Sequence, residues 1–402
     1  MRRDNRRNFI RKGLLGASAA TFLPVSLKDR ISNYATPVTE LPSRVLGRTG
    51  IKTPLISFGT AGINDTGLIK AAYNSGIKIF FSATYYGEGN NERILGQGLK
   101  GLPRDSFIVG TAVPEDRLDR RSGAFTSPFD IDAYIKKADA CLERFGMDHV
   151  DFLLFPYASR KETIMDESLL KALEQLKKLG KTRFVGIASH GGTEEALKAA
   201  ADAGIYDVAM ISYNFKIANK TSLDEAISYA VKKGMGIIAM KTLSGAMNSK
   251  NGSAVNTSAA LKWVLQNENI ATIVSGMTTF DQLEKNLAML KDVRMTDQEK
   301  KELGIAATEK EYGLYCQQCR ECIPQCPYNL DIPTIMRSYM YAYGYRNLEQ
   351  AWYTLAEAGL KENPCNQCEA CQVRCASGFN IRGKITDIAR LGHVPADFLH
   401  KA

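Results

Sequence analysis

The chain has 402 residues, 45% hydrophobic and 24% charged, with a net charge of +9. That composition suits a folded protein and excludes a disordered chain, a coiled coil and a collagen-like repeat. No uncharged apolar run reaches the length of about 18 that a membrane span needs. The charge is not a nucleic-acid footprint: residues 1–36 hold eight Arg or Lys against Asp4 and Asp29, so most of it lies outside any folded patch.

In that first segment Arg6-Arg7-Asn8-Phe9-Ile10-Arg11-Lys12 precedes a weakly apolar stretch from Gly13 to Leu27, with Ala17-Ser18-Ala19 as a small-residue cleavage site. The segment resembles a twin-arginine signal, with Ile10 and Arg11 as conservative departures. The resemblance implies that the twin-arginine translocase carries a folded, cofactor-loaded protein to the periplasm. Residues 1–36 therefore read as signal peptide and linker.

From there the chain alternates. Short apolar runs recur at 55–59, 78–83, 107–111, 150–155, 184–188, 208–213, 236–241 and 271–275. Each is nearly continuous, as a parallel strand buried on both faces must be. Between them lie helical spacings such as Leu169, Leu173, Leu176 and Leu223, Ala226, Ile227, Ala230. Eight β/α units over about 240 residues are the size of a closed (β/α)8 TIM barrel, placed at 37–300. A doubly wound open sheet is the alternative, weakened because no G-x-G-x-x-G opens a helix. Cys141 lies on a helical pattern with Ile135, Ala138, Leu142 and Phe145 and reads as a buried, inert thiol.

Residues 301–402 hold the other eight cysteines in matching blocks: Cys316, Cys319, Cys322, Cys326-Pro327, then Cys365, Cys368, Cys371, Cys375-Ala376. Four disulfides or zinc pairs are the alternatives. Thiols two residues apart suit a cubane better, and the fourth cysteine of such a run ligates the other cluster in two-cluster ferredoxins. The expected ligands are Cys316, Cys319, Cys322 and Cys375 for one [4Fe–4S] cluster and Cys365, Cys368, Cys371 and Cys326 for the other. This region reads as a small, mostly helical ferredoxin-like domain. Its aromatic residues, Tyr339, Tyr341, Tyr343, Tyr345, Trp352 and Tyr353, are expected to shield the clusters from water.

In a (β/α)8 barrel the chemistry sits at the C-terminal strand ends. The stretch Gly76 to Gly87, followed by Asn91-Glu92-Arg93-Ile94-Leu95-Gly96, resembles the aldo-keto reductase signature G-x4-D-T-A-x2-Y-G…E-x2-L-G. Asp148 to Asp151, Gly180 to Arg183, Tyr213-Asn214 and Ala239-Met240-Lys241 fit as well, so the likeness runs from about residue 44 to 292. With the cysteine blocks, the whole resembles the iron–sulfur subgroup of that family. The resemblance implies carbonyl reduction by a nicotinamide hydride, with a tyrosine acid tuned by a Lys–Asp pair and a histidine that orients the carbonyl.

Transferred residue by residue, the tyrosine is Tyr86, while the aspartate, lysine and histidine positions hold Phe81, Ala112 and Pro156. Without a cation to lower its pKa from near 10, Tyr86 is a poor acid at neutral pH. Cofactor-binding candidates are Ser189, His190, Lys241 and Asn286. NADP(H) is the cofactor the family implies. Met210 stands where many members have Gln, and Gly276 to Phe280 offers no Lys or Arg for a 2′-phosphate. Tyr157 is a replacement donor beside Pro156.

The expected function is an exported iron–sulfur oxidoreductase passing electrons to or from a small-molecule substrate or a redox partner protein, not an ordinary NADPH carbonyl reductase. A non-catalytic ligand-binding barrel with structural clusters, or an electron-transfer subunit, are the alternatives.

Overall fold

A computed structural model describes residues 40–245, 255–308 and 314–399. The twin-arginine motif and its cleavage site lie outside them. Among the described residues no helix is long and apolar enough to cross a membrane.

Eight parallel strands close into a barrel: β1 Ile56–Gly59, β2 Ile79–Phe81, β3 Ile108–Ala112, β4 Val150–Pro156, β5 Thr182–Ser189, β6 Val208–Ser212, β7 Gly236–Met240 and β8 Ile270–Gly276. Each strand pairs with its neighbours in sequence, and β8 returns to β1. The ring is closed, so the open-sheet alternative is ruled out.

The strands form where the apolar runs predict because both faces are buried. One face packs against the surrounding helices α1 Thr66–Asn74, α2 Asn90–Leu99, α3 Ile131–Phe145, α4 Glu167–Lys178, α5 Thr193–Ala203, α6 Lys220–Lys232, α7 Thr257–Leu265 and α8 Phe280–Met289. The other fills the barrel with Ile79, Phe81, Phe152, Leu154, Val208, Met210 and Ile238. Helix starts follow local chemistry: Asp65, Asp130 and Asp166 each accept a backbone N–H of the helix they precede. At the foot of the barrel, Asp151 is fully buried and takes Arg104 at 2.8 Å, Arg183 at 2.7 Å and the Val109 N–H at 2.8 Å. That answers the cost of burying its charge. Cys141 is buried and donates its thiol to Glu92.

Beyond the barrel, α9 Asp297–Thr308 packs on α7 through Leu303 and the Lys262–Glu299 ion pair. The tail then folds around α10 Ile332–Tyr339, a π-helical turn at Met340–Gly344, α11 Leu348–Glu357 and α12 Ile381–Ala389. Its own core includes Ile335, Met336, Leu355, Ile385 and Ile388, with Cys322 and Cys365 buried among them.

Candidate functional site at the junction of barrel and tail

The tail seats on the C-terminal mouth of the barrel. Gln317 donates to the Lys216 carbonyl at 2.8 Å, and Arg121 reaches the Asn329 carbonyl at 3.3 Å. Two glycines let the backbones meet: a Cβ on Gly191 would lie 2.6 Å from the Gln318 Cβ, and one on Gly344 would lie 2.3 Å from the Gly245 carbonyl oxygen. Only a residue without a side chain fits such an approach.

Where the strands end, the backbone is unusual. Tyr157 and Lys241 directly follow β4 and β7 and take left-handed φ values of 61° and 57°. Non-glycine residues rarely adopt that region, and such outliers cluster at functional sites. Tyr86 sits in a tight turn after β2, helped by left-handed Gly87 and Gly89. The three side chains converge. The Tyr85 ring packs edge-on to Tyr86 at 5.1 Å and against Tyr157 at 5.6 Å, and Tyr157 stacks on His190 at 6.2 Å.

From above, the tail completes the arrangement. Lys241 Nζ donates to the Tyr341 hydroxyl and lies 4.6 Å from that ring. Glu357, the last residue of α11, accepts from Arg120 at 2.8 Å and from the Tyr157 hydroxyl at 3.3 Å, with Arg337 at 3.6 Å.

Burial dominates the electrostatics. It pushes the Tyr86 hydroxyl up to about 12; the Tyr341 hydroxyl adds to the rise and the Lys241 ammonium opposes it. Burial holds the Lys241 ammonium down to about 8. His190 is driven well below its ordinary range by burial and by Arg337, Lys241 and Arg120, so its imidazole is neutral. A small cavity opens beside His190 and Lys241, and Cys316 and Arg337 line it with them.

The cysteines fall into two interleaved groups. Burial raises the Cys316 thiol to about 12, and the neighbours that add to the rise are Cys322, Cys375 and Cys319. Burial also raises the Cys365 thiol, with Cys368, Cys371 and Cys326 as its neighbours. Each group thus takes three thiols from one block and the fourth from the other. Among the described residues no three side chains converge on one point as the ligands of a single ion would. A cubane asks for something different, since its four thiolates bind four irons. The donor set fits that group.

Comparison with known proteins agrees with both parts. The aldo/keto reductase family matches residues 58–256, and a 4Fe-4S dicluster domain matches residues 315–380. The chain carries an aldo/keto reductase domain and a 4Fe-4S dicluster domain. L-galactose dehydrogenase of Arabidopsis thaliana is 28% identical over 301 residues, covering 64% of this chain and 90% of that protein. D-threo-aldose 1-dehydrogenase of a Pseudomonas species is 26% identical over 222 residues, covering 47% and 66%. The aldo-keto reductase AKR11C1 of Bacillus halodurans shares the fold with a TM-score of 0.55 at 20% identity, covering 66% of this chain and 96% of that one.

In the aldo/keto reductase domain, Tyr86, His190 and Lys241 share the barrel mouth. Ser189 is buried beside them, its hydroxyl 3.3 Å from the Gly191 carbonyl and from Thr193 Oγ1. Asn286 stands apart on α8, donating to Ser275 at 3.0 Å. Phe81, Ala112 and Pro156 are buried and apolar, and Phe81 stacks on Phe152 at 5.9 Å.

The tail aromatics divide. Tyr341 and Tyr345 face the mouth, where the Tyr345 hydroxyl accepts the Gly245 N–H. Tyr339 and Tyr343 stack on each other at 4.2 Å, with Tyr343 exposed. Sequence reading missed Arg120, Arg337 and Glu357. The signal for Arg337 was a lone charge within the otherwise uncharged helix α10.

Proposed function

We propose that the protein is an exported iron–sulfur oxidoreductase whose barrel no longer runs the family's proton-assisted hydride chemistry. In this reading it exchanges single electrons with a ligand at the barrel mouth or with a redox partner. One observation carries this: Cys316 of the tail and His190 and Lys241 of the barrel line the same cavity. A proposed ligand of a redox centre and the barrel's strand-end polar groups therefore face one ligand space.

Two [4Fe–4S] clusters, held by Cys316, Cys319, Cys322, Cys375 and by Cys365, Cys368, Cys371, Cys326, would supply one-electron donors and acceptors. The chain's own residues do the rest. Tyr341 and Tyr345 cover the mouth and keep water out. Lys241, tethered to Tyr341, presents an ammonium that burial makes easier to deprotonate.

Tyr86 keeps its proton, since its hydroxyl is pushed up rather than down. The aspartate, lysine and histidine that would tune it are Phe81, Ala112 and Pro156 in this chain. A general acid typically contributes about 10²–10⁴-fold, and that help is gone. Ordinary NADP(H) use is disfavoured for the same reason, and because residues 276–280 carry no cation and Asn286 is engaged by Ser275.

The test is an anaerobic potentiometric titration of the cluster-reconstituted protein, followed by EPR with and without NADPH. Reduction of both clusters at ferredoxin-like potentials, untouched by NADPH, supports the reading. Clusters that resist reduction, or stoichiometric bound NADP(H) oxidised with a substrate, overturn it. Export is tested by Arg6→Lys with Arg7→Lys in the full chain, which should leave the protein in the cytoplasm.

A further inference from the structure

A second cavity lies between the barrel and the first cysteine block. His190, Gln318 and Arg337 wall both cavities. Its charges do not balance. Arg120 spends its guanidinium on Glu357 at 2.8 Å and on the Tyr157 face at 4.1 Å. Arg320 feels the attraction of Asp331. Asp331 acts on Arg337 too, but Arg337 has no carboxylate of its own.

Arg337 is only 7% exposed, yet among the described residues its one hydrogen bond is a long one, 3.4 Å to Thr334 Oγ1. Its nearest carboxylate, Glu357 at 3.6 Å, is already taken by Arg120 and Tyr157. A buried guanidinium with most of its donors unspent is costly unless something meets it. On the same wall, Ser159 is 6% exposed, and neither its Oγ nor His190 Nδ1 has a hydrogen-bond partner among the described residues. Two unpartnered polar groups beside a weakly paired guanidinium on one small cavity point to a missing ligand.

We propose that this cavity binds the carboxylate group of a small substrate, with Arg337 as the charged clamp and Ser159 and His190 as hydrogen-bonding partners. A guanidinium edge matches a planar carboxylate with two parallel bonds. Arg120 and Arg320 already face carboxylates, so one surplus positive charge remains, which suits a monoanion better than a phosphate dianion. The inference deepens the function proposed above by naming the substrate class, and it rests on that reading for calling the ligand a substrate. The competing account is that Arg337 offsets the negative charge of the thiolate-bound cluster beside Cys316.

The experiment measures binding of ¹³C-acetate to the oxidised, cluster-loaded full chain by NMR line broadening. Acetamide is the neutral isostere and inorganic phosphate the alternative anion. Saturable acetate binding is expected, with acetamide at least tenfold weaker and phosphate weaker than acetate. Arg337→Gln should weaken acetate at least tenfold. Ser159→Ala, which removes no charge, should weaken it several-fold. Arg390→Gln, on the exposed surface of the tail, should change nothing.

Equal binding of acetamide, tighter binding of phosphate, or full acetate affinity in Arg337→Gln would overturn the proposal. Unchanged affinity with a shifted cluster midpoint potential would assign Arg337 to the cluster instead. If Arg337→Gln fails to fold, Ser159→Ala decides the matter alone. Binding is read without electron transfer, so clusters that resist reduction would sink the proposed function and leave this result standing.

Discussion

Replacing Gly191 with alanine tests whether the tail is seated on the barrel as described. Gly191 follows β5, and its backbone is not in the left-handed region, so alanine meets no conformational penalty of its own. What it meets is the tail: the new Cβ would fall 2.6 Å from Gln318 Cβ and 2.7 Å from the Gln318 carbonyl oxygen. Gln318 cannot easily retreat, because its amide is bonded to the Pro333 carbonyl at 3.0 Å and its own φ is 57°. Overpacking of this kind costs about 1–3 kcal/mol. Taking about 2 kcal/mol and a urea slope of about 2 kcal/mol/M, the tail should come away at roughly 1 M lower urea. The assay follows bleaching of the cluster absorbance for the tail and far-UV circular dichroism for the barrel. The cluster transition should move and the barrel transition should stay. Gly276→Ala, where the added Cβ has nothing within 4 Å, is the control. Coincident transitions for Gly191→Ala and wild type would refute the close approach.

Glu357→Gln should destabilise the chain by about 3 kcal/mol, since it strips the carboxylate from Arg120 and Arg337 and leaves buried charge unmatched; an unchanged urea midpoint contradicts this. Cysteine exchange should act crosswise. Cys375→Ser should alter the EPR signal of the cluster held by Cys316, Cys319 and Cys322, and Cys326→Ser that of the other; a loss confined to each mutated block argues against interleaving. Alkaline pH should unfold the chain through its tyrosines. Tyr86 and Tyr341 both rise to about 12 on folding, so the folded state holds protons that the unfolded state releases from about pH 10. Their contribution, on the order of 1–3 kcal/mol each, is complete below pH 10 and lost between about 10 and 12. Thermal melts across that window, with ionisation followed at 295 nm, check the sign; tyrosines that ionise normally without loss of stability would remove the basis for it.

Strands were legible because burial on both faces leaves a continuous apolar run, and the boundaries slipped where that rule stops applying. The fifth strand starts at Thr182 rather than Phe184 because Arg183, though charged, joins the ladder and pairs with Asp151. The crossed grouping of the cysteines was expected from the two-cluster ferredoxin pattern, in which the fourth cysteine of a run ligates the other cluster; spacing alone does not fix that crossing. Strand order also placed Tyr86, His190 and Lys241 at one mouth, as the ends of β2, β5 and β7 must be in a closed barrel.

Spacing could not disclose what the tail brings to that mouth. Tyr341 meets Lys241 across a separation of 100 residues, and nothing near either residue announces the other. Arg337 is the instructive case. A single cation within buried Ile332–Ser338 states a demand, because a charge is taken out of water only against a partner. The sequence shows that demand without showing the answer. Glu357 looks like the answer until its other contacts are counted: it already serves Arg120 and Tyr157. One carboxylate shared between two guanidiniums and a hydroxyl leaves Arg337 with only Asp331's longer-range attraction besides, and that weak pairing is the gap the proposed carboxylate ligand would fill.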